Sequence, residues 1–216
     1  MTIQSSRRAV IGGAAVLFAA PGLHAQGGGR TTRFDFESPI AFQPMLTGRG
    51  GPVAWSVIDD PSAPTGPKVL AQTSTDKTDY RFPLAVFDQP VLRDLDVAAR
   101  FKPVSGEVDR AAGIAVRLID RDNYYVVRAN ALEDNVRLYR VVKGDRQQFA
   151  GANVKVPSGV WQELRLVVRG NRFEVFFEGK SLYAATDATF AGAGRVALWT
   201  KADSVTWFDD LRIGAL

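Results

Sequence analysis

The chain has 216 residues, 27 Lys and Arg against 23 Asp and Glu for a formal charge of +4, and 46% hydrophobic residues. The bases are scattered rather than run together, which excludes the dense basic stripe of a nucleic-acid interface. There is no cysteine and the single histidine is His24, so downstream of it disulfides, thiolate nucleophiles, Ser-His-Asp triads and Cys/His zinc sites are all excluded.

Residues 1–25 read as an export signal. Ser6-Arg7-Arg8 precedes an apolar Gly/Ala-rich run over 9–20, which is too short to span a bilayer as a helix. Pro21 ends the run, and Leu23-His24-Ala25 offers a small residue for cleavage. The arginine pair resembles a twin-arginine signal, with Val10, Ile11 and Gly12 departing from that pattern; the alternative is an ordinary secretory signal. Either route places the protein in the periplasm or outside the cell. Without Arg7 and Arg8 the remaining chain holds 25 bases and 23 acids. No later stretch qualifies as a transmembrane helix, so no membrane contact is expected after signal removal. Residues 26–32 (QGGGRTT) read as a Gly-rich linker, and 33–216 as a single domain of ordinary size.

From residue 33 onward, short alternating runs are separated by Gly, Pro, Asp and Asn, with almost no helical period. Strands are predicted over 33–37, 53–58, 68–72, 80–87, 95–104, 112–119, 123–131, 135–144, 161–170, 172–179, 181–186, 194–201 and 204–213. Residues 38–52 lack any period and are predicted as loop. Pro83 predicts an edge strand or a bulge for its segment. RGN at 169–171 and GKS at 179–181 are hairpin signals. The pattern is that of an all-β sandwich or barrel.

The second half carries a resemblance. Asp122-Asn123-Tyr124-Tyr125, Arg128, Gly159-x-Trp161-x-x-Leu164, Phe190, Gly194, Val196, Leu198, Trp199, Thr200 and Phe208-Asp209-Asp210-Leu211 resemble the sandwich of concanavalin A-like lectins, laminin-G-like domains and glucanases. More narrowly they are similar to the 3-keto-disaccharide hydrolase domain family of bacterial secreted proteins. The resemblance implies a jelly-roll β-sandwich of two antiparallel sheets and a carbohydrate or other small polar ligand. It does not decide between binding, glycoside hydrolase-like or lyase-like chemistry, and a non-catalytic structural or protein-binding role, because one fold hosts all of these. The oligomeric state is left open.

Side chains alternate along strands, so Tyr124, Arg128 and Asn130 share one face. If neighbouring strands align, Arg117, Arg137 and Tyr139 join it. Guanidinium forks match carboxylates and vicinal hydroxyls, and tyrosine rings can lie against a sugar; the alternative is an ordinary solvated sheet face. Trp199 and Lys201 alternate together and stand either beside that face or at the end of the sandwich. Glu37 and Asp210 lie on the first and last strands, which jelly-roll carbohydrate modules often pair around a structural calcium; the alternative is edge charges that discourage strand pairing. No cofactor is required.

Catalytic carboxylates are less evident. Glu107-Val108-Asp109 lacks the third acid of a retaining glucanase strand, and Glu174 and Glu178 are too far apart to act as a pair about 5–5.5 Å apart. A lyase or keto-glycoside hydrolase would need a positioned base, for which Tyr124 and Tyr139 are the candidates.

Overall fold

The computed structural model describes Met1 and residues 30–216. Residues 2–29, with the predicted leader and most of the linker, lie outside the described residues. In chain order the strands are β1 (Thr31–Phe34), β2 (Gln43–Gly48), β3 (Trp55–Asp59), β4 (Lys68–Gln72), β5 (Arg81–Leu92), β6 (Leu95–Ser105), β7 (Ala111–Asp120) and β8 (Asn123–Asn130). They continue as β9 (Asn135–Val142), β10 (Asp145–Asn153), β11 (Gln162–Arg169), β12 (Arg172–Phe177), β13 (Lys180–Thr186), β14 (Gly194–Trp199) and β15 (Val205–Ala215).

They form two antiparallel sheets. One has eight strands in the order β13-β12-β11-β6-β15-β4-β3, with β1 against β15; the other has seven, β10-β9-β8-β7-β14-β5-β2. The core lies between them. It packs Phe87, Ile114, Tyr125, Val127 and Leu138 of the seven-stranded sheet against Val97, Phe101, Leu166, Phe173 and Phe208 of the other. Burying each such side chain contributes about 1.5–3 kcal/mol. The first and last strands pair, Phe34 opposite Leu211.

Both hairpin signals produce tight turns. Arg169 pairs with Arg172 across Gly170 and Asn171. Phe177 pairs with Lys180 across Glu178 and Gly179, both left-handed at φ 49° and 70°, the geometry that fits the twist of a two-residue hairpin.

Three expectations need correction. The segment predicted as loop over 38–52 contains β2, and β10 was not expected at all. Both are edge strands, so neither needs the full apolar alternation of an interior strand. β10 also carries a bulge between Gln148 and Ala150 that breaks its period. Pro83 lies within β5, between β14 and β2, and not on an edge. Its carbonyl accepts from Thr200 N–H at 3.0 Å. An antiparallel residue points its nitrogen and carbonyl to the same side, so the donorless nitrogen faces the place where β14 has already ended.

Candidate functional site

The seven-stranded sheet buries side chains on both faces. On the side away from the sandwich core, Phe82, Leu84, Val86, Ala115, Tyr124, Val126, Tyr139, Val141, Ala197 and Trp199 make a second apolar cluster. One row of paired residues crosses this face as Met45, Leu84, Trp199, Gly113, Arg128, Arg137 and Gly151. Two glycines in the row make room for large neighbours. A Cβ on Gly113 would come within 3.0 Å of the Trp199 ring, and one on Gly151 within 2.4 Å of Arg137 Cδ.

The face is cupped. Thr47 of β2 hydrogen-bonds Tyr124 of β8 at 3.0 Å, although these strands are four positions apart. In a flat sheet that separation would be about 19 Å. Tyr80, just before β5, makes a second closure. Its hydroxyl donates to Gly144 O at 2.7 Å and accepts from Arg146 N–H at 3.0 Å, reaching the β9–β10 turn. The hydroxyls are polarised in series. Trp199 Nε1 donates to the Tyr124 oxygen at 3.3 Å, Tyr124 donates to Thr47, and Thr47 donates to the Arg121 carbonyl. Burial first of all pushes the Tyr124 hydroxyl up to about 12, so at neutral pH it is a protonated strap rather than a base.

Arg146 lies over the rings of the cup. Its guanidinium carbon is 4.4 Å from the Tyr139 centroid, 4.9 Å from Phe82 and 5.8 Å from Trp199. Among the described residues no carboxylate pairs with it, and its Nη1 is buried without a hydrogen-bond partner. Burial holds this guanidinium below its ordinary pKa. Arg128 approaches the same Tyr139 ring at 5.5 Å. It donates from Nη2 to Glu133 at 2.6 Å and Asn135 at 2.9 Å, while its Nε is buried and unpartnered.

Beyond Arg128 the cup becomes polar. Lys201 Nζ is 2.9 Å from Asp109 Oδ2 and also pairs with exposed Asp79. Asn130 Nδ2 donates to Asp109 Oδ1 at 2.8 Å. Asp109 is presented by a loop that Asp203 holds through the backbone N–H groups of Glu107, Val108 and Asp109. Burial above all raises the Asp109 carboxyl, against the opposing pull of Lys201 and Arg128. Burial also acts to raise Glu133, but hydrogen bonds from Asn135 and the charge of Arg128 outweigh it and the carboxyl is lowered.

The structure therefore brings Tyr124, Arg128, Asn130, Arg137, Tyr139, Trp199 and Lys201 to one face, most of them buried. Arg137 lies across Gly151 and donates to Asn153 at 2.7 Å. Trp199 is fully buried and stacks on Phe82 at 5.3 Å. Arg117 does not join them. It stands in a bulge at φ 48°, which turns its side chain inward over Phe173. There it donates to the carbonyls of Arg93 at 2.9 Å, Phe190 at 2.8 Å and Gly170 at 2.5 Å, and to Asp94 at 3.3 Å.

Glu37 and Asp210 do not fit a calcium site. Glu37 accepts from Lys68 N–H at 2.8 Å. Asp210 lies between Arg33 at 2.6 Å and Arg212 at 3.4 Å, so its charge is already matched. Among the described residues no group of three or more acidic or histidine side chains is placed to hold a metal.

Sequence reasoning missed Arg146 and Glu133, and underrated Asp109. Arg146 follows a turn on a strand with no apolar signature. Asp109 was visible only as part of an incomplete glucanase motif, whose Glu107 points to solvent and pairs with Lys77 at 2.6 Å.

No family model matches this sequence, and no curated protein matches it. Solved structures do. The cellulose-induced protein Cip1 aligns with a TM-score of 0.64 at 14% identity, covering 86% of this chain and 98% of that one. A carbohydrate-binding module, CBM66 from Bacillus subtilis, aligns at 0.61 and 16%, covering 79% and 94%. The β-glucanase of Bacillus licheniformis aligns at 0.57 and 11%, covering 88% and 99%. At such identities the likeness concerns the fold, and the narrower resemblance to keto-disaccharide hydrolases gains nothing beyond it. By its two antiparallel sheets, its paired first and last strands and these alignments, the chain has the fold of a jelly-roll β-sandwich.

Proposed function

We propose that the protein is an exported carbohydrate-binding sandwich, periplasmic or secreted, that holds its ligand in the cup of the seven-stranded sheet. The observation that carries this is the Arg146 guanidinium, set over three aromatic rings with a buried donor that nothing in the described structure satisfies. An unsatisfied buried donor is costly, and a ligand oxygen would relieve it. Arg128 adds a second such donor at the same ring. Guanidinium forks beside aromatic faces suit the mixed hydroxyl and C–H surface of a sugar. The carbohydrate-binding module among the fold relatives supports the same reading, and the leader sequence supports export.

The test is thermal unfolding of the domain with a panel of neutral and acidic oligosaccharides. A ligand at a hundredfold excess over its Kd is expected to raise Tm by about 5–10 °C. A panel without any shift would remove the proposal.

A second reading, turnover of keto-glycosides or uronates, is favoured by one observation. Asp109 and Glu133 share the polar end of the cup, and their environments drive their carboxyls in opposite directions, as acid and base pairs require. Product analysis on whichever sugar shifts Tm separates enzyme from binder.

A further inference from the structure

The charges of the cup narrow the ligand, an inference that rests on the proposed carbohydrate site. Four cations line this face. Arg128 has Glu133, and Lys201 has Asp79 and Asp109. Arg137 has only the amide of Asn153, and the Arg146 side chain has no hydrogen-bonded partner among the described residues. Two of the four therefore have no carboxylate at ion-pair distance, and Arg146 feels Asp79 and Asp109 only from farther off. Several arginines elsewhere in the fold do have a carboxylate: Arg165 holds Asp96, Arg140 holds Asp187, and Arg212 holds Glu163. Ring faces attract a cation, but they satisfy none of its in-plane N–H donors. A neutral sugar would offer hydroxyl oxygens and leave the charge unmatched. A carboxylate would supply both the charge and two coplanar oxygens for the fork.

We propose that the ligand is an acidic glycan, a uronic-acid unit of which sets its carboxylate against the guanidinium of Arg146, with Arg128 Nε as a further donor. Arg137, farther along the same row, faces the next acidic unit of the chain.

The experiment is calorimetric titration of the folded protein with three matched probes: an oligouronate, the same oligosaccharide after carboxyl reduction, and a sulfated oligosaccharide. The oligouronate is expected to bind at least tenfold more tightly than its reduced counterpart. Arg146→Gln is expected to abolish that preference, and Arg146→Lys to keep part of it, since the charge stays while the fork is lost. Because Arg146 packs on three rings, Arg137→Gln serves as the second variant and is expected to weaken the preference without loss of Tm. Equal binding of the reduced probe would overturn the inference while leaving carbohydrate binding in place. A preference that survives both glutamine variants would overturn it too, as would sulfated binding as tight as the oligouronate. Failure of every probe would remove the carbohydrate site as well.

Discussion

Replacing Arg117 with methionine is expected to destabilise the domain by about 3 kcal/mol without changing glycan affinity. The methionine would keep most of the aliphatic volume over Phe173 but donate nothing. Three carbonyls, on the loops at Arg93, Gly170 and Phe190, would lose their donor together, and so would Asp94. Each lost bond to the charged guanidinium costs on the order of 1 kcal/mol or more. Urea unfolding measures the loss as a lower midpoint at constant slope. A change below about 1 kcal/mol, within the range of ordinary surface substitutions, would show that this arginine does not tie the three loops together. A weaker glycan affinity in the folded variant would return it to the ligand face.

Trp199→Ala is expected to cost about 3–5 kcal/mol, the range for deleting a buried aromatic, and to lower Tm by about 10 °C or more. The indole is wholly buried, stacks on Phe82 at an interplanar angle of 19°, and underlies Arg146 at 5.8 Å. Its loss also frees Tyr124 from its donor. Trp199→Phe would restore much of the stacking and lack only the N–H, so most of the stability is expected to return. If the alanine variant melts within about 2 °C of the parent, the second apolar cluster does not hold the cup together.

Much of this architecture is legible in the residues. Alternation marks the strands of the eight-stranded sheet, and the hairpin signals at 169–171 and 179–181 set their registers. The run from Tyr124 to Asn130 has the parity to place Arg128 and Asn130 together, and Arg137 and Tyr139 follow from the pairing of Arg128 with Arg137. Arg117 escapes the same argument because parity holds only while the ladder is unbroken. One bulge residue shifts every side chain after it to the other face, and no glycine at 117 announces it. The glycine that permits the bulge sits across the ladder: a Cβ on Gly194 would meet the Arg117 backbone at 2.3 Å. Arg146 was invisible for a different reason. Its importance comes from Phe82, Tyr139 and Trp199 on three other strands, gathered by the curl of the sheet, which no local period encodes.

That curl has a consequence for how the two sheets tolerate amino-acid change. β12 and the first five residues of β11 alternate buried and partly exposed positions, whereas the first seven residues of β5, the first eight of β7 and all but the first of β8 are buried without interruption. A saturation scan read by retained folding is therefore expected to show every second site as permissive in β12 and in β11 as far as Leu166. The same scan across β5, β7 and β8 should find no permissive phase, with small residues such as Ala85, Ala115 and Ala129 as intolerant of enlargement as the aromatics are of truncation. Variation accumulating in this fold should thus be channelled into the eight-stranded sheet and the hairpin tips, leaving the cup nearly invariant even where its ligand no longer matters.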